Sequence, residues 1–99
     1  MIKMDAESAE EYVRSAKDLI GAAGRLSRIL LKGLESPPER ITSASNAQLG
    51  FILLSDMIIS PVGLDLLISM GSLAMSEEEA KNIVGLMGLI DLCVMSQLD

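Results

Sequence analysis

The chain has no histidine and no tryptophan, and a single residue each of tyrosine (Tyr12), phenylalanine (Phe51) and cysteine (Cys93). Without histidine, the usual general base near neutral pH and the commonest ligand for zinc, copper or iron are both missing. Serine–histidine–aspartate and cysteine–histidine arrangements are therefore excluded within one chain. One cysteine also excludes an intramolecular disulfide. Its setting, Leu92-Cys93-Val94-Met95, is that of a small buried hydrophobe and fits a reducing compartment. Three prolines and no glycine period exclude a collagen-like chain.

Basic residues are scarce in one part of the chain only. Residues 1–40 carry seven bases and seven acids, whereas residues 41–99 carry Lys81 alone against seven acids. The resulting net charge of −6 is repelled by phosphate backbones, which counts against nucleic-acid binding. The segment Met1-Ile2-Lys3-Met4-Asp5 runs into acids with no apolar leader core, so no signal peptide and a cytoplasmic location are expected.

What is abundant is apolar residue: 49% of 99 residues, with a mean hydropathy of +0.42. That excludes disorder and gives one small domain with its own core. No strand-like alternation persists, and four helical stretches can be read. Ser8 with Glu11 has the form of a capping box, in which each side chain takes a backbone N–H of the other's residue. Tyr12, Ala16, Leu19, Ala23, Leu26 and Leu30 then step by four and three, widened by Val13, Ile20 and Leu34 into a core-facing stripe. Ser36-Pro37-Pro38-Glu39 stops this helix and caps the next. Thr42-Ser43-Ala44-Ser45-Asn46 is rich in side chains that compete for backbone hydrogen bonds, so a break or fresh cap is expected there. Ser60-Pro61 and Ser76 with Glu79 open the last two helices, with Glu77, Glu78 and Glu79 matching the helix dipole. The expected fold is all-α: a four-helix antiparallel bundle (about 5–34, 37–59 broken near 42–46, 61–74 and 77–97), a single domain over residues 1–99.

Side chains that carry chemistry are few. Asp56, Asp65 and Asp91 stand alone in apolar helices; burial would raise their pKa values, while a solvent-facing position would leave them inert. Glu77, Glu78 and Glu79 diverge around a helix and do not converge on one cation. Ser76 and Lys81 offer a lysine-activated serine nothing beyond proximity. The glycine-containing run Gly21-Ala22-Ala23-Gly24 follows no strand and lacks the lysine–serine pair of a phosphate loop. Two glycines three apart in a helix point instead to close backbone approach. Gly85 and Gly88 repeat the spacing, which predicts a crossing of the first and fourth helices. No catalytic residue, cofactor or metal is expected.

Arg14, Lys17, Arg25, Arg28 and Lys32 line one side of the first helix, a possible contact for an acidic partner or for phosphates, with Glu10–Arg14 and Glu11–Arg14 as surface pairs. No aromatic residue is interleaved to stack on bases. Residues 49–75 hold only two charges, yet Ser60-Pro61 divides them into pieces too short to span a bilayer. Helices apolar on every side must be covered by something, and one long helix is too little to cover three. The expected function is a non-catalytic interaction or oligomerisation module, an adaptor or regulatory subunit. Its contact surface is Leu53, Met57, Met70, Leu86, Met87 and Ile90, and its partner is a second copy or another protein. The alternatives are a small membrane-associated protein and a nucleic-acid-binding module that uses the basic stripe.

Overall fold

The computed structural model describes residues 3–98. Met1 and Ile2 of the segment read for a leader lie outside the described residues. Among those described the chain is all-helical, with six helices: α1 (Ala6–Leu31), α2 (Glu39–Thr42), α3 (Asn46–Met57), α4 (Pro61–Ala74), α5 (Glu77–Lys81) and α6 (Ile83–Ser96).

Serine caps open three of the six helices. Ser60 accepts from the Gly63 N–H with Pro61 in the first turn, and Ser76 with Glu79 forms a complete capping box. Ser45 with Gln48 forms another, so the expected break becomes the start of α3. At the N-terminus the cap is Asp5, whose carboxylate accepts from the Ser8 N–H at 2.7 Å; the Ser8–Glu11 box does not form. Aspartate competes well for this role because its charge also meets the helix dipole. That same N–H holds the Asp5 carboxyl below the ordinary aspartate range. α1 ends at Leu31, three residues short of the expected Leu34. Ser36, at φ +46°, lies in the turn, and Pro38 begins α2 with no side-chain cap. The last expected helix is divided at Asn82 into α5 and α6.

α1 packs mainly on α3 and then on α4, while α6 leans on α2, α3 and α5. The α1–α3 contact is set by glycine. A β-carbon at Gly24 would lie 2.6 Å from the Asn46 carbonyl carbon and 2.7 Å from its Cα; one at Gly50 would lie 2.8 Å from the Gly24 nitrogen. Backbones this close favour small side chains at the crossing, so the buried face of α1 is Ala16, Ala23, Gly24 and Ser27, with Ile20 its one large member. Of the stripe read as core-facing, Leu19, Leu26 and Leu30 are exposed instead. The crossing expected between Gly21-Gly24 and Gly85-Gly88 is likewise corrected: Gly24 meets Gly50 of α3, Gly85 faces the Arg40 guanidinium, and Gly88 has open space around it. A second core cluster joins Ile41, Ala44, Leu49, Ile52, Ile83 and Leu86, with Cys93 half-buried against it.

Candidate functional site

Two polar clusters lock the frame that carries the surface. Arg28 reaches from α1 across the α2–α3 connection. Its Nε donates to Asn46 Oδ1 at 2.5 Å, and its guanidinium donates to the Thr42 and Ala44 carbonyls. Thr42 is the last residue of α2 and Ala44 lies just beyond its end, so the cation supplies donors to carbonyls at and after the helix terminus. Ser27, buried beside it, donates to the Leu49 carbonyl at 3.3 Å. In the second cluster the two capping boxes meet: Gln48 Nε2 donates to the Glu79 carbonyl at 3.1 Å. The Ser45 hydroxyl, then the Ser76 backbone N–H, holds the Glu79 carboxyl below the ordinary glutamate range.

Between α1 and α6, with α3 as its floor, runs an open apolar cleft of about 200 Å³. Leu30 and Leu31 form one wall, Ile90 and Val94 the other, and Ile52 and Leu53 lie beneath; Ser27 and Asp56 are its polar members. Leu30 is 64% exposed at its rim, and Met95, 67% exposed, follows Val94 on α6. A second apolar prominence stands at the α3–α4 turn, where Ile59 is 98% exposed between exposed Met57 and Val62.

The expected contact residues do not form one surface. Leu53 and Ile90 meet in the cleft. Met57 is exposed at the α3–α4 turn, while Met70 and Met87 are half-buried and do not line the cleft. Leu86, 3% exposed, belongs to the core and offers no contact surface. The cleft-rim residues Leu30 and Val94 were missed because the four–three stripe assigned Leu30 to the core, and nothing in the α6 sequence distinguishes Val94 from its apolar neighbours.

The basic stripe is also divided. Arg14, Lys17, Arg25 and Lys32 are exposed, but Arg28 is committed to its own chain. Among the described residues the ion pair is Lys81–Glu77 at 3.6 Å, so Arg14 pairs with neither Glu10 nor Glu11. Asp56, Asp65 and Asp91 are all exposed, so of the two readings the solvent-facing one holds and the buried acid does not. The Ser76 hydroxyl accepts from the Glu79 N–H as a helix cap, and Lys81 pairs with Glu77, so neither is directed at the other. Among the described residues no three acidic or thiol side chains converge as a metal-ligand set, and no helix is long and apolar enough to cross a membrane.

No family model, curated protein or solved structure matches the chain.

Proposed function

We propose that the chain is a non-catalytic helical interaction module whose four long helices, α1, α3, α4 and α6, form a bundle that a second copy completes. One observation carries this reading. A folded monomer of 10.6 kDa is expected to expose about 5,500 Å². This chain exposes 6935 Å². The surplus, roughly 1,500 Å², exceeds the ~800 Å² that each partner gives to a standard interface. Its shape agrees, with extents of 50 × 25 × 22 Å and a radius of gyration of 14.7 Å against about 13 Å for a compact domain of this length. Exposed leucine, isoleucine, valine and methionine on α1, α4 and α6 supply the apolar part of that surplus.

The test is light scattering across a gel-filtration peak, over a concentration series and without detergent. A discrete dimer or higher oligomer is the expected result. A monomer at high micromolar concentration that binds no apolar-surface dye overturns the proposal. A lipid surface is the second reading, favoured by the bare Ile59 prominence; co-flotation of the protein with uncharged phosphatidylcholine vesicles would mark that outcome.

A further inference from the structure

Resting on the self-association proposed above, we infer that the cleft between α1 and α6 is the twofold interface of a homodimer, with α6 of each copy lying over the cleft of the other. The cleft has the right capacity. An engineered cavity of about 150 Å³ is enough for a benzene ring, so about 200 Å³ admits large aliphatic side chains from an opposing helix. Apolar surface extends from the cleft onto its rim. Leu30 and Val94 line it and are themselves exposed. Met95 lies one residue beyond Val94, about 100° further round α6 and away from the face that Leu86 turns to the core.

Four lines of argument select a second copy as the occupant. The area left uncovered on one chain is what a permanent dimer buries, not what a transient partner needs. A twofold contact requires a patch that is its own complement, and this one holds both a hollow and an apolar helix beside it. Charge points the same way. Each copy carries −6, and two copies repel wherever acids are dense, but between Ile83 and Ser96 the only charge is Asp91, and the cleft lining adds only Asp56. The copies therefore meet where like charge is sparse. Finally, α6 is the long helix with least support from α1, so a second α6 supplies the neighbour it lacks.

Sedimentation velocity on four proteins tests this: wild type, Leu30→Glu at the α1 rim, Met95→Glu on α6, and Val62→Glu on α4, which does not line the cleft. All three sites are exposed in the chain, so helical circular dichroism is expected to be unchanged. Leu30→Glu and Met95→Glu should each raise the dimer dissociation constant about thirtyfold or more, the loss typical of a central interface residue, and Val62→Glu should leave it unaltered. A dimer that persists in both cleft variants but dissociates in Val62→Glu overturns this interface while self-association stands. A wild-type monomer at high micromolar concentration overturns both.

Discussion

The α1–α3 crossing makes a prediction in which the same substitution has opposite signs three residues apart. Replacing glycine by alanine inside a helix normally stabilises by about 1 kcal/mol, because alanine restricts the unfolded chain. At Gly21 the new methyl would meet only the flexible end of Arg25, at 3.6 Å, so Gly21→Ala should gain about that amount. At Gly24 it would lie 2.6 Å from the Asn46 carbonyl carbon, where carbon atoms normally rest at about 3.5–4.0 Å. The obstacle is backbone and cannot rotate away, so α3 must withdraw by about 1 Å along its most extensive contact. Overpacking of this kind costs about 1–3 kcal/mol, and a rigid obstacle puts the cost at the upper end. After the helical gain of alanine, Gly24→Ala should be destabilised by about 2 kcal/mol, and Gly50→Ala by a similar amount. Urea unfolding followed by circular dichroism, at one fixed protein concentration so that the proposed association contributes equally to every variant, reads the difference. Gly24→Ala as stable as Gly21→Ala would refute the close crossing and with it the assignment of the α1 buried face.

Three further perturbations follow from the polar locks and the charge. Arg28→Ala should cost about 1–3 kcal/mol in urea unfolding, since it leaves the Thr42 and Ala44 carbonyls without their cation, whereas Arg25→Ala on the exposed stripe should stay within about 0.5 kcal/mol. Both Asp5 and Glu79 have carboxyls held below their ordinary range in the folded chain. Their contribution is therefore complete above the unfolded-state values and lost as pH falls through the lowered folded ones, so the urea midpoint should drop between about pH 5 and pH 3. Glu79→Gln should flatten part of that drop, and an unchanged slope would place Glu79 outside the lock. Finally, if copies of charge −6 meet through apolar surface as proposed, raising salt from about 0.05 to 0.5 M should tighten the dimer in sedimentation; weakening with salt would point to a charged interface instead.

Much of the helical outline was legible because it depends on short-range chemistry. Ser60 before Pro61 and Ser76 before Glu79 are caps in the sequence and in the structure, since a hydroxyl three residues from an N–H needs no distant partner. The interruption at residues 42–46 was legible for the same reason, although its resolution into a Ser45–Gln48 box was not. At the first helix the Ser8–Glu11 reading fails, because the Asp5 carboxylate takes the Ser8 N–H instead and also meets the helix dipole. The site was less legible. The expected contact set mixed a core residue, Leu86, with the cleft pair Leu53 and Ile90, because α6 is apolar all round and its periodicity does not indicate which face is inward.

The face of α1 shows why hydrophobicity alone misleads here. Leu19, Leu26 and Leu30 carry more apolar area than Ala16, Ala23 and Gly24, and transfer from water alone would bury the leucines. The observed choice is the opposite because α3 arrives with a glycine of its own, Gly50. Two facing glycines let the helices approach until backbone touches backbone, exchanging the burial of a few large side chains for dispersion contact along the whole crossing. The leucines are thereby turned to the flank. An apolar flank is a standing cost to an isolated chain but none to one that covers it in a complex. The tight α1–α3 crossing and the uncovered leucine flank are thus one feature. If Gly24→Ala forces the helices apart, the same change should also loosen the proposed self-association, in which Leu30 takes part.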